Sequence, residues 1–207
     1  MVCIVLIAAS TRIEASTRTP TQLGGHARLE LSEFLKRRFG LGRIGQLGKF
    51  NVERGAQLAG IQIAVHEDSR LRLLPLFRLA DESESQILSY FKMGNVFVAH
   101  DRDLIVGITQ LVEEDNAIEI VSLAVVPERR GEGIATGLIE EAETVCRLRG
   151  VRRLIVCTGS WETENIIFYV KRGFRIFNVV PDFFTPEKGY DLAIRDQVQL
   201  EKAVTGA

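Results

Sequence analysis

The stretch Val125-Val126-Pro127-Glu128-Arg129-Arg130-Gly131-Glu132-Gly133-Ile134-Ala135 decides which fold this chain adopts. It joins an apolar, strand-like segment to a long amphipathic helical pattern through a short loop that is rich in arginine and glycine. Backbone N–H groups converge where a helix begins, and the helix dipole there favours negative charge. Glycine also lets a ligand approach the backbone closely. The stretch therefore predicts a phosphate cradle at the start of a helix.

The segments on either side of this loop predict a mixed sheet flanked by helices. Before the loop, the pattern indicates a strand, a helix that Asp81 caps and Gly94 closes, a hairpin and a further strand. The corresponding ranges are 61–65, 81–94, 96–100 with 104–111, and 118–126. After the loop comes a long helix that Gly150 ends. It is followed by a strand at 153–157, a short helix at 163–171 that Gly173 closes, and two last strands at 174–179 and 190–194. This order predicts an α/β (α+β) fold.

The chain changes character near residue 60. In residues 1–60 basic residues outnumber acidic ones, and only residues 29–39 have a convincing helical pattern. We therefore expect an N-terminal extension over 1–60, partly helical or disordered, and one domain over 61–207. The run Gly40–Gly45 matches the dinucleotide pattern G-x-G-x-x-G, but a basic helical pattern precedes it where a strand is required. It predicts a loop.

Composition narrows the range of partners. The net charge of −1 and the pI of about 6.3 give no strong case for a nucleic acid or membrane partner, although a local basic patch stays open. The cysteines Cys3, Cys146 and Cys157 form no C-x-x-C pair, and the three histidines lie far apart, so no metal site is expected. We expect Cys146 and Cys157 to be small buried hydrophobes. The apolar run 2–9 lacks the basic start of a signal peptide, so a cytoplasmic location is the default expectation.

Two motifs then give the chain a resemblance to a known family. Arg130-x-x-Gly133-x-Ala135 is similar to the Q/R-x-x-G-x-G/A pyrophosphate loop of the GCN5-related N-acetyltransferase (GNAT) superfamily. Residues 165–174, Asn-Ile-Ile-Phe-Tyr-Val-Lys-Arg-Gly-Phe, resemble the family's A-x-x-F-Y-x-x-x-G-F signature. The resemblance covers about residues 61 to 195. It implies a mixed, mostly antiparallel sheet of six to seven strands flanked by helices, with a splay between strands 4 and 5 of the family's order.

The resemblance also implies a donor site for acetyl-CoA as co-substrate, with no metal. The amides of the loop, at Arg130, Gly131, Gly133 and Ala135, would bind the coenzyme A pyrophosphate. The strand 121–126 resembles the splayed strand whose backbone holds the pantetheine arm, which assigns Leu123 and Val125 to that contact. Asn165 resembles an asparagine that often hydrogen-bonds the pantetheine or its water, and a helix-start role explains it equally well. The side chains of Arg129 and Arg130 could add charge or form a solvated face.

The same comparison points to two catalytic candidates. Tyr169 is placed to donate a proton or hydrogen bond to the leaving thiolate, whereas an isolated tyrosine would more often pack in a core. Glu119 lies where histone-acetylating relatives carry a glutamate base. Since Glu119, Val121 and Leu123 alternate along one strand, we expect them to share a face, with apolar neighbours raising the pKa of Glu119. Ordered water as the base is the alternative.

The resemblance implies an N-acetyltransferase that transfers acetyl from acetyl-CoA to a primary amine by direct attack in a ternary complex. A non-catalytic CoA-binding sensor or regulatory module is the alternative, and the presence of both Tyr169 and Glu119 favours the enzyme. The acceptor is a small-molecule or peptide amine, and a homodimer is compatible with the family. Trp161, Phe183, Phe184 and Tyr190 are candidates to line the acceptor cleft, and core packing explains them equally well.

Overall fold

Eight strands and four α-helices make up the part of the chain that the computed structural model describes, which is residues 57–58, 60–114 and 116–205. The strands are β1 (Gln57–Leu58), β2 (Ile61–Val65), β3 (Asn95–Asp101), β4 (Leu104–Glu114), β5 (Ala117–Val125), β6 (Arg153–Gly159), β7 (Arg175–Val180) and β8 (Gln197–Ala203). The helices are α1 (Leu74–Ala80), α2 (Glu84–Tyr90), α3 (Ile134–Arg149) and α4 (Thr163–Val170). The run Gly40–Gly45, Cys3 and nearly all of the predicted extension lie outside the described residues.

The strands form one mixed sheet in the order β1-β2-β3-β4-β5-β6-β8-β7. Every neighbouring pair is antiparallel except β5 and β6, which run parallel. This is the mixed, mostly antiparallel architecture that the sequence predicts. The two-residue strand β1 is the member by which the sheet exceeds the expected six to seven strands.

The sheet opens between β5 and β6. These strands pair only at Ile118 with Leu154, Glu119 with Ile155 and Ile120 with Val156, although β5 runs on to Val125 and β6 to Gly159. The ends of the two strands therefore separate, and their inward-facing backbone groups are left for other partners. The predicted splay is confirmed at this position.

Two buried clusters cover the two faces of the sheet. On one face, α3 packs Leu138, Ala142 and Val145 against strand residues that include Ile120 and Leu123, and we call this the α3 cluster. On the other face, α1 and α2 contribute Phe77 and Ile87 to a cluster that includes Val112, Val121 and Ala124, which we call the α1–α2 cluster. Because both faces of the sheet are apolar, each must be covered by helices. The result is three layers: α3, the sheet, and α1 with α2.

A β-bulge in β5 changes which face its residues use. Leu111 pairs with Ile120, whereas Gln110 pairs with Ser122, so Val121 is the extra residue. Val121 consequently belongs to the α1–α2 cluster and Leu123 to the α3 cluster. The expectation that Glu119, Val121 and Leu123 share one face is wrong for Leu123, because simple alternation fails at a bulge.

Two further expectations are wrong in detail. Asp81 does not cap the helix that follows it, since Ser83 Oγ accepts from the Gln86 amide and α2 ends at Tyr90. The last strand is Gln197–Ala203 and not the predicted 190–194, because Tyr190 is buried in a loop while Val198 and Leu200 supply the apolar face of β8. Helix α1 has no counterpart among the predicted elements.

Candidate active site

The loop before α3 leaves a row of backbone amides at the open end of β5. Residues Pro127–Arg129 form a single 3-10 turn, and Gly133 is the N-cap of α3. Gly131 and Gly133 have φ of 82° and 85°, in the left-handed region that glycine adopts without steric strain. Within the described part of the chain, the amides of residues 131–136 donate to no backbone carbonyl. They form an anion-binding end with the dipole of α3 behind it.

A cleft of about 220 Å³ lies at this end of the helix. It is lined by Val125, Arg129, Arg130, Gly131, Gly133, Ile134, Ala135, Thr136, Phe168 and Arg172. The cleft therefore brings together five of the residues that the sequence assigns to the donor, namely Val125, Arg130, Gly131, Gly133 and Ala135. Leu123 and Asn165 do not line it. Leu123 is fully buried in the α3 cluster, and buried Asn165 donates from Nδ2 to Glu162 Oε2 at 2.9 Å, as a helix-start residue does.

The two arginines of the loop differ in what holds them. Arg129 donates to Asp101 Oδ2 at 2.5 Å and to both carboxylate oxygens of Glu132 at 2.8 and 2.9 Å. These hydrogen bonds raise the pKa of Arg129 and offset its charge. Among the described residues, Arg130 makes only a long contact, from Nε to the Val125 carbonyl at 3.4 Å. Arg129 therefore fastens the loop to the end of β3, and Arg130 keeps its charge for the cleft.

Three cleft residues have no role in the sequence-based assignment. The Arg172 guanidinium lies 3.5 Å from the centroid of the Phe168 ring and donates to Thr136 Oγ1 at 2.6 and 3.0 Å. It also donates to the Phe168 carbonyl at 3.0 Å. The available signal was the four-residue spacing of Phe168, on α4, and Arg172, just after the end of that helix, which places both on one side of it. Thr136 carried no signal beyond its place in the first turn of α3.

Tyr169 lies in the wall behind this cleft. Its side chain is fully buried in the α3 cluster, with edge-on contacts to the rings of Phe168 at 5.3 Å and Phe174 at 5.4 Å. Its carbonyl accepts from the amides of Arg172 and Phe174, so the chain turns tightly after α4. Tyr169 does not line the cleft, but Phe168, which touches it, does. Tyr169 is therefore a core residue that lies directly behind a residue of the cleft.

Glu119 lies in the paired part of β5, immediately before the splay. Glu119 is 3% exposed, and since its neighbours Ile118 and Ile120 belong to the α3 cluster, alternation along the strand places its side chain on the opposite face. Cys157 Sγ donates to Glu119 Oε1 at 3.7 Å. Burial raises the pKa of Glu119 to about 8, and the thiol contact opposes the shift. A carboxyl with this pKa is poised to change protonation state close to neutral pH.

The aromatic residues proposed for the acceptor side pack mainly against one another. Phe184 contacts Trp161, Phe183 and Tyr190 with ring centroids 4.9 to 5.0 Å apart in edge-on geometry. Phe183, Phe184 and Tyr190 are buried in the α1–α2 cluster, and Trp161 is partly exposed. Core packing explains the first three, which leaves Trp161 as the member that solvent reaches.

Neither a metal centre nor a membrane-spanning helix occurs in the described ranges. No group of three or more His, Cys, Asp or Glu side chains in the described part of the chain is arranged to hold a metal ion. Among the helices of the described ranges, none is long and apolar enough to cross a bilayer. Cys146 and Cys157 are buried and unbridged, as expected from the sequence.

A sheet splayed between two parallel strands, with a glycine loop and helix N-terminus at the opening, defines an acyltransferase of the GNAT type. The model of the acetyltransferase (GNAT) domain matches residues 92–176. The uncharacterized N-acetyltransferase YvbK of Bacillus subtilis strain 168 is 27% identical over 146 residues, which cover 68% of this chain and 94% of YvbK. A Bacillus subtilis acetyltransferase solved in complex with CoA superposes with a TM-score of 0.63 at 26% identity, over 70% of this chain and 99% of that one.

The uncharacterized protein YxbD of the same organism matches over a shorter stretch with higher sequence identity. It is 38% identical over 77 residues, which are 37% of this chain and 47% of YxbD, so the match spans about half of that relative. Residues 92–176 therefore carry an acetyltransferase domain of the GNAT type.

Proposed function

We propose that this protein is an N-acetyltransferase that moves an acetyl group from acetyl-CoA to a primary amine by direct attack in a ternary complex. The observation that carries the proposal is the row of amides at residues 131–136, which faces a cleft beside the splay between β5 and β6. A diphosphate needs several N–H donors and positive charge, and the cleft offers both. The CoA complex of the Bacillus subtilis relative supports the same donor.

The donor would lie along a path from this cleft into the splay. Gly131, Gly133 and Ala135 would present their amides to the diphosphate, and Arg130 would add charge. The backbone of β5 near Leu123 and Val125 is unpaired on the β6 side, so it can hydrogen-bond the amide groups of a pantetheine arm. Leu123 would contribute through its backbone, since its side chain is buried in the α3 cluster.

Glu119 is the base in this proposal. The attacking amine is mostly protonated at neutral pH and must lose a proton to attack the thioester carbonyl. A buried carboxylate with its pKa raised to about 8 takes that proton more readily than an exposed one would. Glu119 also lies among the last residues of β5 that pair with β6 before the splay begins. The thioester end of a pantetheine arm in the splay would stop next to this position.

Tyr169 is the acid in this proposal. When the amine attacks, the C–S bond of the thioester breaks and the electron pair passes to sulfur, which needs a proton or a hydrogen bond. Tyr169 is held rigidly by Phe168 and Phe174 on the side of α4 that meets the α3 cluster. A rigid phenol loses little conformational entropy when it donates.

The experiment that tests the function is release of free thiol from acetyl-CoA in the presence of a panel of primary amines, with product mass confirming an added acetyl group. We expect turnover above the amine-free rate for at least one acceptor class. Tight CoA binding without turnover for any small-molecule or peptide amine would instead establish the sensor module. Absence of both CoA binding and turnover would reject the donor site itself.

A further inference from the structure

Arg172 is the cleft cation that the loop motif does not include. It lines the same cleft as the amides of the loop and lies on the segment that follows α4. Its position is fixed by three kinds of contact: stacking on Phe168, hydrogen bonds to Thr136 Oγ1, and a hydrogen bond to the Phe168 carbonyl. A long cationic side chain held by this many contacts has already lost most of its rotamer freedom.

The charge of Arg172 is not offset as that of Arg129 is. Among the described residues, no carboxylate lies within ion-pair distance of Arg172, whereas Arg129 has Asp101 and Glu132. Burial lowers the pKa of Arg172, and the electrostatic effects of Tyr169 and Glu140 oppose this shift. The acceptors that hold the guanidinium are a hydroxyl and a carbonyl, both neutral. The protein therefore holds a partly buried, oriented positive charge at this site, and an anion bound there would offset the free-energy cost of burying it.

We infer that Arg172 binds the diphosphate of the donor together with the loop amides, so that the anion lies between the start of α3 and the end of α4. This inference rests on the proposed function, because it takes the donor to be a CoA thioester. The bond from Arg172 to Thr136 ties the guanidinium to the first turn of α3, where the amides that bind the same anion begin. Two N–H groups of the guanidinium are left to reach phosphate oxygens.

The test measures binding of three ligands by calorimetry or competition: CoA, 3′-dephospho-CoA, which keeps the diphosphate, and pantetheine, which has none. The variant Arg172→Met keeps an apolar stem over Phe168 and removes the charge. We expect it to weaken CoA and 3′-dephospho-CoA alike by about 10- to 100-fold, as for loss of a charged hydrogen bond, and to leave pantetheine unchanged. Arg172→Lys should fall between wild type and Met, because it keeps the charge without the planar fork.

Arg175→Ala is the matched control. This arginine is three positions away, 74% exposed and paired with Glu201, so its loss should not alter CoA affinity. Thermal melting checks that the Met variant folds, and Arg172→Gln, which keeps a donor for Thr136, replaces it if it does not.

The outcomes separate the two claims. If wild type binds CoA and the Met and Gln variants bind it equally well, the inference about Arg172 is overturned while the proposed function stands. If the variants lose affinity for CoA but not for 3′-dephospho-CoA, Arg172 contacts the 3′-phosphate and the diphosphate assignment is wrong. If wild type binds none of the three ligands, the proposed function and this inference fail together.

Discussion

The Tyr190 hydroxyl donates to Asp81 Oδ1 at 3.1 Å across 109 positions of the chain. Both side chains are buried, and Asp81 also accepts from the Ser83 amide and the Tyr90 hydroxyl. The contact joins the loop before β8 to the turn between α1 and α2. It is reinforced by Ser83, whose hydroxyl donates to the Lys188 carbonyl at 2.7 Å. One buried carboxyl thus joins the loop that carries Phe184 and Tyr190 to the turn between α1 and α2.

This carboxyl predicts a definite pH dependence of stability. Burial raises the pKa of Asp81 from 3.8 to about 6, so the folded state holds a proton that the unfolded state releases. The contribution of Asp81 to the free energy of unfolding is therefore greatest at low pH and is lost as pH rises through about 6. In Asp81→Asn, the change in unfolding free energy from pH 4.5 to 7 should be more positive than in wild type by about 2 kcal/mol.

Urea unfolding at the two pH values measures this difference. Tyr190→Phe is the companion variant, since it removes one donor and keeps the ring against Phe184. An identical pH dependence in wild type and Asp81→Asn would mean that Asp81 has an ordinary pKa in the folded protein.

Glu119 predicts the pH profile of the reaction. A base with its pKa raised to about 8 must be ionised to act, so kcat/KM should fall as pH drops through 8. An acceptor amine that titrates well below pH 7 isolates the enzyme's own group in this measurement. Glu119→Gln should lower kcat about 100-fold and remove the dependence. A profile that keeps its inflection near 8 in Glu119→Gln would assign the base to another group or to ordered water.

Tyr169→Phe should separate chemistry from donor binding. It removes a hydroxyl and preserves the ring contacts with Phe168 and Phe174, so folding should be retained. We expect kcat to fall about 100-fold with the Kd for CoA unchanged, because the hydroxyl would act only as charge develops on sulfur. Steady-state kinetics and calorimetry on the same preparation check both quantities. Wild-type turnover in this variant would restrict Tyr169 to packing.

The loop glycine gives the sharpest test of the donor site. Gly133 has φ of 85° as the N-cap of α3, so Gly133→Ala strains the backbone that directs the amides. We expect CoA affinity to fall at least tenfold, which is about 1.4 kcal/mol. Gly150→Ala is the matched control, since Gly150 has φ of 69° at the other end of the same helix with open space around it. Equal CoA affinity in both variants would place the anion site elsewhere.

The sequence was informative where one short motif determines local geometry. The loop from Arg130 to Ala135 could be located because its glycines, its arginine and the following helix are contiguous in the chain. Arg172 and Thr136 were missed because their contact spans 36 positions and depends on how α4 packs against α3. No local pattern records such a pairing.

The remaining misses have a similar cause. β8 alternates correctly but offers only Val198 and Leu200 as large apolar residues, so its strand pattern is short, whereas Tyr190 lies in a run that resembles a strand but is buried in a loop. The bulge at Val121 depends on how β5 registers against β4, and register is a property of two strands.

Because Val121 is an extra residue, the two halves of β5 direct their alternating side chains to the two faces of the sheet in opposite phase. Glu119 faces the α1–α2 side and Leu123 faces the α3 side, although they are only four positions apart. Deleting Val121 would rotate one half of the strand by half a turn relative to the other and exchange buried acid for buried leucine. Conversely, substitutions on the Glu119 side of the strand need not disturb the packing on the Leu123 side. Under the proposed function, a single inserted residue would let the side that holds the base change while the backbone that holds the donor stays the same.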